Sequence, residues 1–459
     1  MTTQAADSGA SLENAKIIAR LERLPITRRL TWIRVIIGSA TFFDAYTVIV
    51  IAYAMPQLTD EWGLSLGMAG VILSAGYLGQ LFGAVGFGGL AERIGRLPTL
   101  MITILLFVSM DVACLFAWSG MSMVIFRFFQ GVGTGGEVPV ASAYINEFVG
   151  AKKRGRFFLL YELIFPIGLM FAGMAAFVLL PIFSWRILFV IGIVPAVLMI
   201  PLRIMMPESP RWLASKEKFE KADQVISMLE KEAVKEGKDL PEPAKPDLEH
   251  AVVQKGHWTE IFRGIYLKRT LMIWVLWIAG YFINNGMMTW FSTLYKTQFG
   301  LEGNMPQFYS WITSAVAVVA SICCALYIDR VGRKRWYTWA FFLACVPLLA
   351  LGLIGAQSAI QVLIFGSLAY AIIQTITFSL YLYSSELYPT RLRAIGTGFG
   401  SAWLRIASTV APNIVAFLVA GVGLGSVFLV FAGAAVIGGI TVGLFGIETK
   451  GAVLEKLSP

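Results

Sequence analysis

The stretch Gly88-Gly89-Leu90-Ala91-Glu92-Arg93-Ile94-Gly95-Arg96-Leu97-Pro98 is a short charged turn set between two long apolar runs, and it occurs twice. Its second copy, Ala325-Leu326-Tyr327-Ile328-Asp329-Arg330-Val331-Gly332-Arg333-Lys334, keeps the order small residue, acid, base, spacer, glycine, base. A pattern that returns half a chain later marks a duplicated unit. The carboxylate suits a helix end held by its neighbours, and the glycine permits a turn too tight for a side chain. The flanking bases belong on one side of a membrane.

Outward from these turns the chain is apolar. Of its 459 residues 57% are hydrophobic and 14% charged, a composition that excludes a soluble protein of this length. A helix crosses about 30 Å of hydrocarbon with roughly 20 residues. Twelve such runs begin near Trp32, Leu66, Pro98, Met121, Phe157, Trp185, Thr270, Gln307, Trp336, Ile360, Ala394 and Gly425. The polar stretch between the sixth and seventh predicts an arm over 1–30, a six-helix bundle over 31–206 and a central loop over 207–269 with amphipathic helices. A second bundle over 270–448 and a tail over 449–459 follow.

The net charge of +9 does not point to nucleic acid, because the bases follow topology: Arg93, Arg96, Lys152 to Arg156, Arg330, Arg333 to Arg335, Arg391 and Arg393 all fall on loops of one side. Short basic loops stay cytoplasmic, so both termini are expected inside. The four cysteines lie in apolar runs and read as small core hydrophobes. His250 and His257 lie in the central loop without metal spacing, so no metal, cofactor or enzymatic site is expected. A receptor that binds without moving solute would need an output domain, for which the central loop is thin.

The two turns resemble those between the second and third and the eighth and ninth helices of the major facilitator superfamily, with Glu92 where aspartate is usual. Pro207-Glu208-Ser209-Pro210-Arg211-Trp212-Leu213 resembles a segment shared by sugar porters, organic ion transporters, synaptic vesicle glycoprotein 2 and bacterial nicotinate transporters; so does Glu386-Leu387-Tyr388-Pro389-Thr390-Arg391-Leu392-Arg393. The resemblance implies an all-α integral membrane protein of twelve transmembrane helices in two pseudo-symmetric halves, working by alternating access and, by default, as a monomer. Glu92, Arg93, Arg96, Asp329, Arg330 and Arg333 are then gating or structural residues. Glu147 with Arg154, and Glu386 with Arg391, are expected as matching inner clasps.

Charges near mid-bilayer are costly and mark function. Asp44 stands about 18 Å in from Trp32 along the first helix, where an acid can gain and lose a proton during transport. Its context Phe43-Asp44-Ala45-Tyr46 resembles aromatic acid and proton symporters, whose second aspartate is Thr47 here. Glu137 of the glycine-rich fourth helix is a second protonation candidate; Glu162 reads better as a gate acid. Asp111 is expected to partner a nearby base.

In the eleventh helix Arg405 lies about 16 Å from the start, and a guanidinium there needs an anion. The order Arg405-x-x-Ser408-x-x-x-Pro412 resembles organic anion transporters, whose matching arginine binds the anion. Tyr46, Trp277, Tyr281, Asn284, Asn285, Tyr370 and Gln374 complete the expected site, aromatic faces with a few amides suiting a flat ligand with a polar end. The reading is proton-coupled uptake of a small aromatic monocarboxylate such as nicotinate across a bacterial inner membrane. An organic cation, a sugar or a sugar acid is the alternative cargo.

Overall fold

The computed structural model describes residues 2–150, 157, 160–243 and 257–450, and among the described residues it is helical with no strand. Among the described residues ten helices are long and apolar enough to cross a bilayer: Arg28–Trp62, Leu66–Ile94, Arg96–Leu115, Leu160–Leu179, Gly264–Phe299, Met305–Val331, Arg333–Leu353, Ala359–Glu386, Ile395–Gly421 and Leu424–Phe445. Two more complete twelve spans. The fourth, Gly120–Glu147, is diluted in hydropathy by Arg127, Gln130, Glu137 and its glycines. The sixth is broken into Arg186–Gly192 and Pro195–Met205, Pro195 opening the second piece. The spans are named below by their order in the chain.

Polar caps set where the spans begin. The Thr27 side chain accepts from the Leu30 amide at 3.3 Å, and Ser65 accepts from Met68 at 3.2 Å, each satisfying an otherwise orphaned donor. At the two acid and base turns Gly95 and Gly332 take φ of +114° and +98°, a region that side chains avoid. A carboxylate fills the space a side chain would need there. Glu208 accepts from the amides of Arg96 and Leu97 at 3.1 and 3.2 Å, and Glu448 accepts from Arg333 at 2.8 Å. The third and ninth spans therefore begin on the same device, an acid seated on a helix N-terminus.

Close approach of the second and fourth spans depends on missing side chains. A Cβ on Gly79 would stand 2.9 Å from the amide nitrogen of Val132, and one on Gly83 would meet the Val132 carbonyl. The halves meet where the first span packs on the seventh, the second on the eleventh and the fifth on the eighth. On the side away from the acid and base turns this seam is bonded shut. Lys296 pairs with Asp60, Asn304 donates to the Phe177 carbonyl at 3.2 Å, and Tyr53 meets Ser314 at 3.3 Å.

On the turn side, the helix Thr2–Arg23 is docked. Ile17, Leu21 and Leu24 are buried in one cluster with Ile226 and Leu229 of the helix Phe219–Lys235. Arg20 and Arg23 both reach Glu230, at 2.7 and 2.6 Å. Of the cysteines, Cys114, Cys324 and Cys345 are buried, whereas Cys323 is exposed on the outer face of the eighth span.

Candidate functional site

Seven spans wall a cavity between the halves, with about 910 Å³ of unfilled space that is partly open at its mouth. Asp44 of the first span, Glu162 of the fifth and Arg405 of the eleventh share its wall. Tyr77, Phe165, Tyr281, Phe378 and Tyr381 supply aromatic wall; Gln80, Asn284, Asn285 and Gln374 supply amides. A mostly apolar chamber with a few convergent polar groups is what a small-molecule site requires.

Several of those polar groups keep an unpaired atom. Arg405 is 4% exposed, donates to the carbonyls of Ser401 at 2.8 Å and Gly135 at 3.4 Å, and leaves Nε unpaired. Asp44 is 2% exposed and its Oδ1 is unpaired, as are Asn284 Oδ1 and Gln374 Oε1. The amide of Asn284 is oriented by a relay. Ser408 donates to Leu404 at 2.7 Å, so its oxygen must accept from Asn285 Nδ2. That turns Asn285 Oδ1 toward Asn284 Nδ2 at 3.5 Å and leaves the Asn284 carbonyl oxygen free. Buried polar atoms normally find partners, and four left over around one chamber are what a polar ligand satisfies.

Among the described residues no ion pair joins Arg405 to Asp44 or Glu162, so the guanidinium is not locked to either acid. Glu162, expected at a gate, is on the cavity wall. Glu137 is one layer behind it, accepting from Thr41 at 3.0 Å, while Thr41 also meets Tyr161 at 2.7 Å. Asp111 accepts from Gln130 at 2.6 Å; the nearby base is Arg127, which holds the Thr47 and Val48 carbonyls at 2.9 and 3.0 Å.

Three expected site residues do not reach the wall. Tyr46 is fully buried and donates to the Leu188 carbonyl at 2.7 Å, because two positions along a helix turn a side chain to the far side from Asp44. Trp277 bonds Ser384 at 3.0 Å and stacks behind Tyr281 with centroids 5.4 Å apart. Tyr370 is buried against the edge of Phe291. Tyr77, Gln80, Phe165 and Phe378 are wall residues that sequence reading missed, and for the first two a signal existed. Their signal lies beside the glycine stripe of the second span: the stripe is taken by the fourth span, leaving the adjoining polar face for the cavity.

On the turn side the acids engage the motif arginines. Glu147 accepts from Arg96 at 3.0 Å, and Arg96 also reaches Glu92 at 2.8 Å. Glu386 accepts from Arg333 at 3.0 Å, and Arg333 reaches Asp329 at 2.7 Å. Arg154 and the side chain of Arg391 lie outside the described residues. Arg93 and Arg330 are exposed, Arg330 over the Tyr327 ring at 5.8 Å.

Residues 35–459 match the family model described as sugar (and other) transporter. This chain belongs to that family of major facilitator transporters. It is 30% identical over 451 residues to the niacin transporter of Acinetobacter baylyi, covering 96% of this chain and 99% of that one. To the 4-hydroxybenzoate transporter of the same organism it is 25% identical, covering 84% and 83%. Its fold is similar to that of the Escherichia coli xylose transporter in a partially occluded inward open conformation, with a TM-score of 0.74, 18% identity, and coverage of 93% and 100%. This major facilitator protein is thus a multi-pass membrane transporter of a small molecule and not an enzyme.

Proposed function

We propose that the protein takes up a small aromatic monocarboxylate, nicotinate or a close analogue, by proton-coupled alternating access across a bacterial inner membrane, with the acid and base turns in the cytoplasm. The observation that carries this reading is Arg405: among the described residues it is the one base on the cavity wall, buried, with Nε unpaired and no acid bound to it. A planar guanidinium favours a carboxylate. Tyr281, Tyr381 and Phe378 offer faces for a flat ring, and the unpaired amide oxygens accept from a hydroxyl or a protonated ring nitrogen at its far end. The similarity to a niacin transporter and a 4-hydroxybenzoate transporter supports the same class of cargo.

Uptake of radiolabelled nicotinate into proteoliposomes, with and without an inward proton gradient, tests the proposal. Gradient-stimulated uptake lost in Arg405→Ala is expected. Uptake that survives the substitution would remove Arg405 from the site. A second reading is favoured by the two acids on the wall against one base: an organic cation seated on Asp44 and Glu162. Retained or improved uptake of a quaternary ammonium probe by Arg405→Ala would support it.

A further inference from the structure

The second and eleventh spans join the two halves along one side of the molecule, but over only part of their length. Away from the turns they touch: a Cβ on Gly70 would stand 3.2 Å from that of Ala416, and Asn413 Nδ2 donates to Ser74 Oγ at 2.6 Å. Toward the turns they part. A Cβ on Gly398 would meet nothing within 4 Å, and Val85 of the second span is 75% exposed. The gap is a wedge with about 920 Å³ of unfilled space, lined by Leu81, Ala84 and Val85 of the second span and by Ile395, Phe399 and Ala402 of the eleventh.

The surroundings of the wedge say what belongs in it. Phe82 and Ile406, next in the chain to Leu81 and Arg405, are exposed apolar side chains of membrane spans, so the wedge opens on hydrocarbon. Trp258 lines it from outside the spans and marks its interfacial end. The inner end is Arg405, ten residues beyond Ile395 or about 15 Å along the helix. Arg405 lines both the wedge and the central cavity, and its bond to the Gly135 carbonyl crosses between the halves. Among the described residues it is the one charged group on the wall of the wedge. A buried guanidinium with Nε unpaired, at the end of an apolar slot, complements a ligand with an anionic head and an apolar tail. A phospholipid does not match, because its headgroup stays at the interface while Arg405 lies near mid-bilayer.

We propose that the wedge is a second subsite, for monocarboxylates with an unbranched apolar tail: the carboxylate sits on Arg405 and the tail lies between the second and eleventh spans. The inference rests on Arg405 as the anion-binding base, and not on nicotinate as the cargo. Such an acid and nicotinate exclude one another, since both need the same guanidinium. The two spans belong to different halves, so a tail lodged between them also holds them apart on the turn side. A long acid therefore blocks the cycle instead of being carried through it.

Equilibrium binding of radiolabelled octanoate to the full chain in nanodiscs, with empty nanodiscs subtracted, tests this. Saturable binding is expected, displaced by nicotinate, lost in Arg405→Ala and untouched by octanol. From butyrate to octanoate the affinity should rise about threefold to fourfold per methylene, as for a tail leaving water for an apolar slot. Gly398→Leu grows into the open space and Ala84→Leu fills it from the second span. Each should weaken octanoate by about tenfold, the contribution of two methylenes, and leave nicotinate binding unchanged. With one variant on each span, the test survives the misfolding of either. Equal affinity across the series, or octanoate binding unchanged in both variants, would overturn the proposal and leave the wedge to bilayer lipid. Octanoate binding that survives Arg405→Ala would overturn it as well. Failure of the aromatic-cargo reading looks different: octanoate binds through Arg405 and nicotinate does not displace it, which removes nicotinate and leaves the subsite standing.

Discussion

At the scale of single residues, Arg405 and Tyr46 make opposite predictions. Arg405→Lys keeps the charge but loses the planar fork and the bonds to Ser401 and Gly135 that aim it. We expect an apparent affinity for the carboxylate about tenfold weaker, about 1.4 kcal/mol, read from the KM of uptake. Tyr46→Phe removes only a bond to the Leu188 carbonyl, away from the cavity. It should cost about 1 kcal/mol of stability and lower the thermal transition in detergent while leaving KM unchanged. A raised KM in Tyr46→Phe would put that tyrosine back at the wall. Residue identity could be read from the sequence, but facing could not. In a helix buried on every side, hydropathy does not distinguish the face turned to a cavity from the face turned to a neighbour.

At the scale of elements, two contacts carry predictions. Where the second span lies against the fourth, Gly83→Ala places a methyl group against the Val132 carbonyl. Separation of two tightly packed helices should cost about 1–3 kcal/mol, seen as a lower thermal transition, with substrate affinity changed little. The second contact is the docked N-terminal helix. Burial pushes the Glu230 carboxyl up, but the hydrogen bonds and charges of Arg20 and Arg23 outweigh it and hold the group below the usual carboxylate range. A lowered native pKa means stability that is present above the unfolded value and lost as pH falls through the native one. Hydrogen exchange over residues 2–23 and 219–235 should therefore be slow near neutrality and accelerate below about pH 4, the ordinary glutamate range. Glu230→Gln should give the fast exchange already at neutral pH. Amphipathic spacing around Ile17 to Leu24 was visible beforehand; its seat on Ile226 and Leu229 was not, because the two helices lie two hundred residues apart.

At the scale of the whole molecule, the far side of the seam is bonded across the halves and the turn side is bonded within them. Lys296 and Asp60 tie the seventh span to the first, and Tyr53 meets Ser314 beside them. Opening toward the far side must break these bonds. Asp60 is 64% exposed, so its ion pair contributes at most about 1 kcal/mol, a shift in population of several-fold. Asp60→Asn should raise the labelling rate of a cysteine placed at Ser314 by about that factor. An unchanged rate would mean that the apolar contacts of the fifth and eighth spans, Phe177 on Phe308 and Trp311, hold the seam by themselves.

Twelve apolar runs, two matching turns and the side on which the bases lie were determined by the sequence alone, because a bilayer imposes length, hydropathy and charge placement on each helix separately. Arg405 and Asp44 were legible for the same reason, since a charge at mid-bilayer stands out against its own span. Only the tertiary structure decided which polar residues share a chamber. It brought Glu162, Tyr77 and Gln80 to the wall, turned Tyr46, Trp277 and Tyr370 away from it, and gave Glu147 and Glu386 to the arginines of the turns. Those choices depend on how each helix is rotated against its neighbours, and rotation is set by packing between spans that no single stretch of sequence contains.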